Sequence, residues 1–216
     1  MKKEVAIKAI TQCAKDYHTY LENQNLLFLF GSQQKPDFFE AVFLPRHFLH
    51  LTGVEISNRK FSGSSDFYNK ALKNQLSPKD FSLATNGTTE MKLSVLPQLM
   101  KIYRSAKMVG DYSFTKSVLY TEKLVGNITA SLGFVREDKY YIPNTALKED
   151  IRDITTKPQS RMLAIFRKPV EQSHYEEICY TAKGLVLQDI SLPQTLHDKI
   201  HIHNTETQEN HIALIP

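Results

Sequence analysis

The 216-residue chain has no tryptophan, only two cysteines and only eight glycines. No apolar run approaches the roughly 20 residues that a bilayer-spanning helix needs. Cys13 and Cys179 are too few and too far apart for a disulfide framework or a cysteine zinc site, and they fit a reducing cytoplasm. There is no phosphate-binding P-loop, no dinucleotide-binding glycine fingerprint and no helical zinc-protease motif. The start, MKKEVAIKAITQCAKDY, opens like a secretion signal. Glu4, Lys8, Gln12 and Lys15 interrupt its apolar stretch, so export by that route is not expected. Internal repeats and low-complexity tracts are also missing.

What remains is ordinary globular material, 41% hydrophobic and 23% charged, with 12 Phe and 10 Tyr as bulky core residues. The net charge of +4 is compatible with a nucleic-acid partner, but it becomes informative only if the cations gather on one face.

Val5, Ala6, Ala9, Ile10, Cys13, Ala14, Tyr17 and Leu21 recur at helical spacing and predict a helix over 3–22. Leu26–Phe30 and Phe38–Leu44 read as a hairpin with a loop of seven residues. Ser64–Leu76 reads as a capped helix. Ser77 and Pro78 look like the N-cap and first position of another. Thr89–Ala106 carries a third helical pattern, with Pro97 expected to kink it or to mark its first turn. Beyond residue 107 the period shortens. Val118–Tyr120, Leu124–Val125, Ile128–Val135, Tyr140–Ile142, Met162–Phe166 and Tyr175–Thr181 read as strands, with Arg136–Lys139 a charged turn between two of them. About four antiparallel strands over 110–184 are expected to pack on the helices, as one α+β domain. After Gly184 the pattern weakens, and 201–210 reads as a polar tail.

The chemistry concentrates in Pro45–Val54. There two histidines, an arginine and a threonine lie between apolar neighbours and end on Gly53. Histidine moves protons near neutral pH, and arginine holds anionic oxygens in a planar fork. The plainer alternative is a turn after a strand. His47 and His50 lack a Cys, Asp or Glu at ligand spacing, and His197, His201, His203 and His211 read as a solvated stretch. Neither a structural metal nor a cofactor is expected. Cys179, mid-strand, reads as structural. Cations and rings interleave at Arg59–Phe61, Lys139–Tyr141, Arg161–Lys168 and Tyr175–Lys183, a mixture that fits either strand faces or a nucleic-acid surface.

Phe48–Val54, Phe67-Tyr68, Leu76–Phe81, Ala106–Tyr112, Thr121–Asn127, Tyr141–Thr145 and Leu163–Lys168, in that order, resemble the phage-associated nuclease-like domains grouped with barnase, EndoU, colicin and RelE toxins. The likeness covers residues 25–184. It divides the chain into an N-terminal helix (1–24), a nuclease-like domain (25–184) and a C-terminal extension (185–216). It implies N-terminal helices and a hairpin packed on a small antiparallel sheet, and metal-independent RNA cleavage. The expected function is then a cytoplasmic endoribonuclease or toxin-like RNase of phage or mobile-element origin. RNA is its expected partner, a neutralising or phage protein a second, and no membrane is involved. The resemblance supports His50 with Leu51-Thr52-Gly53. Chemistry assigns the rest: His50 as base or acid, Thr52 on a phosphate oxygen, Arg46, Lys60, Arg161 or Lys168 on developing charge, and His47, Tyr68 or Tyr141 holding substrate. Two other readings stand beside this one: a non-enzymatic protein-binding module on the same fold, and a nucleotide-using transferase.

Overall fold

The structure is a computed structural model, and it describes residues 1–57, 61–113 and 120–201. Helix α1 (Lys3–Tyr20) turns Ala6, Ile10, Cys13, Ala14 and Tyr17 inward as a single buried stripe. It ends where Leu21 and Glu22 both donate to the Tyr17 carbonyl and Asn23 adopts a left-handed φ of 55°. Asn tolerates that conformation, which stops the helix and starts strand β1 (Gln24–Gly31).

β1 pairs antiparallel with β2 (Pro36–Phe43) from Gln24↔Phe43 to Gly31↔Pro36, so the expected hairpin forms with longer strands and a shorter loop. Pro36 sits at a strand start, where its missing N–H costs no ladder bond. A 3-10 turn (Pro45–His47) and helix α2 (Phe48–Thr52) follow, then β3 (Val54–Ile56), α3 (Ser64–Leu72) and β4 (Phe81–Leu83). The helix expected at Pro78 does not form. The Asp80 carboxylate accepts the Ser77 N–H at 2.8 Å, folding 77–80 into a turn, and Phe81 is drawn into β4 opposite Ile56. Helix α4 (Thr88–Leu99) carries Pro97 in its last turn. The break comes after it, at Met100-Lys101, before the short α5 (Ile102–Ser105).

The remaining strands are β5 (Met108–Asp111), β6 (Lys123–Gly126), β7 (Ser131–Glu137) and β8 (Tyr140–Leu147). After helix α6 (Ile151–Ile154) come β9 (Ser160–Pro169) and β10 (Glu177–Thr181), then helix α7 (Gln194–His197). The hairpin is part of the main sheet rather than a layer against it. Eight strands run in the order β1-β2-β8-β7-β6-β5-β9-β10, and β1 also pairs with β9, so seven of them form a closed circuit of neighbours. Closure uses one parallel contact, Ala41↔Tyr141, between β2 and β8.

Both faces of β1 are covered. Leu26, Phe28 and Phe30 join the large core under α1, α3 and α4, while Leu27 and Leu29 pack with Phe166, Tyr175, Ile190 and Leu196 from the C-terminal third. Phe28, Phe39 and Phe134 form a triangle with ring centroids 5.0, 5.8 and 5.6 Å apart, each burial contributing roughly 1.5–3 kcal/mol. No helix among the described residues is long and apolar enough to cross a membrane.

Candidate active site

The segment after β2 is shaped by its own short-range bonds. Pro45 opens the 3-10 turn, where a missing N–H is harmless. Thr52 is fully buried; its Oγ1 donates to the Leu49 carbonyl at 2.7 Å and accepts the Val54 N–H at 3.3 Å. Gly53 closes α2 with φ +70°, and a Cβ there would lie 2.8 Å from the Lys92 side chain. With both ends fixed, Phe48 and Leu51 point into the core and Arg46 and His50 point out.

Arg46, His47 and His50 form one wall of a cleft of about 450 Å³, within the range of small-ligand sites. Strands β7 and β8 form the other wall with Glu137 and Asn144, and Ser64 and Tyr120 complete the rim. The Arg46 guanidinium donates to both Glu137 carboxylate oxygens at 3.3 Å, with both side chains about half exposed. The Tyr120 ring is 79% exposed, while its carbonyl accepts from the Asn144 amide. Asn144 in turn accepts the Thr121 hydroxyl at 3.1 Å.

The two histidines differ in environment. His50 is exposed, and its carbonyl is held by Lys92 Nζ at 2.9 Å. His47 is 2% exposed, and its Nδ1 accepts the Leu44 N–H at 3.2 Å. Burial, followed by the Arg46 and His50 charges, pushes the His47 pKa down to about 4. It stays neutral at physiological pH, while the His50 ring, three residues on, is exposed at the cleft. The cleft therefore presents a carboxylate, an imidazole and a guanidinium, group types suited to proton transfer and to holding anionic charge. Among the described residues no three His, Cys, Asp or Glu side chains converge as metal ligands.

The other residues singled out from the sequence lie elsewhere. Tyr68 is fully buried against Tyr17 and Phe48 and donates to Glu22 at 2.9 Å, out of reach of any base. Tyr141 packs edge-on to Phe39 at 5.0 Å in the sheet. Arg161 lines a separate cleft with Gln33 and Leu185 and donates to the Lys183 carbonyl at 3.1 Å. Lys168 is buried, with Nζ donating to the Gln172 carbonyl and lying 5.3 Å from the Tyr175 ring centroid. Lys60 falls outside the described residues. The cause is strand order: β9, which carries Arg161 and Lys168, lies beside β1, and β1 and β2 separate it from β8. Arg46 and His50 thus converge without Thr52, Arg161 or Lys168. Both thiols, Cys13 and Cys179, are pushed up to about 12, chiefly by burial, and neither supplies a thiolate at neutral pH.

Glu137, Tyr120, Asn144 and Ser64 also line the cleft and do not stand out in the sequence. Glu137 reads as one of four charges in a turn and Asn144 only as part of the Tyr141–Thr145 segment; what distinguishes them is their position across the fold from the basic stretch.

A family model described as phage-Barnase-EndoU-ColicinE5/D-RelE like nuclease4 matches residues 9–184, a span that takes in both walls of the cleft and most of α1. No curated protein and no solved structure matches the chain.

Proposed function

The chain belongs to the phage-Barnase-EndoU-ColicinE5/D-RelE like nuclease4 family, and on that premise we propose that it is a metal-independent endoribonuclease acting in the cytoplasm as a toxin-like protein of phage or mobile-element origin. The observation that carries this reading is the convergence of exposed His50 with the Arg46–Glu137 pair in one cleft. A protein-binding module would instead favour a buried His50 under an apolar surface.

In this reading the Glu137 carboxylate takes the proton from a ribose 2′-hydroxyl. The 2′-oxygen attacks the adjacent phosphorus, and the bond to the 5′-oxygen breaks. His50, entering as the imidazolium, gives its proton to that 5′-oxygen, leaving a 2′,3′-cyclic phosphate and a free 5′-hydroxyl. Arg46 is released from Glu137 as the substrate enters and holds the non-bridging oxygens of the pentavalent state. Tyr120 stacks on a flanking base. His47 lies beneath as a buried, neutral wall of the cleft.

Incubating the purified full chain with total RNA in EDTA tests the reading. The expected products carry cyclic phosphate and 5′-hydroxyl ends. RNA left intact by the wild type, or cut equally by His50→Ala, would overturn it.

A further inference from the structure

Away from the cleft, Tyr103 of α5 is the centre of a second group of cations and rings. Its ring stacks with Tyr20 at 5.4 Å and 25°, and the guanidinium carbons of Arg104 and Arg167 lie 5.5 and 5.1 Å from its centroid. Two residues beyond α5, Lys107 Nζ lies 4.1 Å from the Tyr180 ring centroid on β10. Lys101, Arg104 and Lys107 recur every third residue along α5 and its exit, and all three are exposed. Among the described residues none of the three has an acidic partner. The nearby carboxylate, Glu177, is occupied by Arg167, which holds both its oxygens at 2.7 Å.

We propose that this face is a docking surface for single-stranded RNA, separate from the cleft that cuts it. Sequence-tolerant recognition of single strands combines cations that track phosphates with aromatic rings that meet bases; here the exposed cations lie along α5 and its flanks, and the half-buried Tyr20 and Tyr180 rings, each with one face taken by Tyr103 or Lys107, lie beside them. Arg167 neutralises Glu177 locally, which leaves the three exposed cations to attract a polyanion. An acidic protein would match the charge but would make no use of the partly open Tyr20 and Tyr180 rings. The proposal rests on the nuclease reading for its choice of RNA. It gives the enzyme a handle on long substrates that a dinucleotide cannot reach.

The test uses the full chain carrying His50→Ala, so that bound RNA is not consumed. Binding of a labelled single-stranded oligonucleotide is titrated at several salt concentrations, with and without Lys101→Gln, Arg104→Gln and Lys107→Gln together. Each lost phosphate contact lowers the slope of log affinity against log salt by roughly 0.7, so the triple variant should lose about 2. The charge-keeping triple, Lys101→Arg, Arg104→Lys and Lys107→Arg, should retain the parental slope. With the native His50 restored, the Gln triple should cleave a dinucleotide at the wild-type rate and long RNA with a raised KM. An unchanged slope, or equal loss on dinucleotide and long RNA, would overturn the surface. A lost slope in a chain that cleaves nothing would leave the surface standing and remove the nuclease instead.

Discussion

Arg46 and Glu137 stand 91 residues apart in the chain and 3.3 Å apart across the cleft. A half-exposed ion pair of this kind contributes at most about 1 kcal/mol to stability. The pair is thus close to neutral for folding, and on the proposed mechanism Glu137 is the base. Replacing Glu137→Gln should leave Tm almost unchanged and lower RNA cleavage by about a hundredfold or more, the usual worth of a positioned base. A fall in Tm that accounts for the lost activity would make the pair structural.

His50→Ala should be almost silent in thermal unfolding, because the side chain is exposed and among the described residues its ring makes no hydrogen bond or ion pair, and on the proposed mechanism it should lower kcat by about a hundredfold or more. An unchanged kcat would assign the acid to another group.

His47 makes a prediction about stability alone. Its folded pKa, about 4, lies below the ordinary 6.5, so in that window the unfolded chain binds more protons. Stability is full above pH 6.5 and falls as pH drops toward 4, by about 3 kcal/mol in total. His47→Phe should flatten this part of the pH–stability curve, as read by urea midpoints at successive pH values. A slope that persists would belong to other groups.

Gly133 lies on β7 behind the cleft. A Cβ there would come within 2.6 Å of Thr121 Oγ1 and of the Thr145 methyl, and the same Thr121 hydroxyl donates to Asn144, which holds the Tyr120 carbonyl. Gly133→Ala should therefore cost about 1–3 kcal/mol as an overpacked core position. In the surviving folded fraction it should raise KM more than it lowers kcat, because it displaces the substrate-facing Tyr120 and leaves the proton-transfer groups in place.

Most of the elements and one wall of the cleft are legible in consecutive residues. Periodicity placed α1, the hairpin and the late strands, because a buried stripe or an alternating strand is written in consecutive residues. The density of His, Arg and Thr marked Pro45–Val54 for the same reason. At Ser77–Phe81 the local bond from Ser77 to Asp80 and the distant pairing of Phe81 with Ile56 together outweigh helix propensity, giving a turn and a strand in place of the expected helix start. Which distant residues share the cleft is set by strand order. The β2–β8 contact and the β7–β8 pairing carry Glu137 and Asn144 to the loop after β2, whereas β9 carries Arg161 and Lys168 to the other side of β1. Tertiary burial also separated two histidines that the sequence presents as equivalent. His47 is withdrawn from water and kept neutral, while His50, three residues on, remains exposed at the surface.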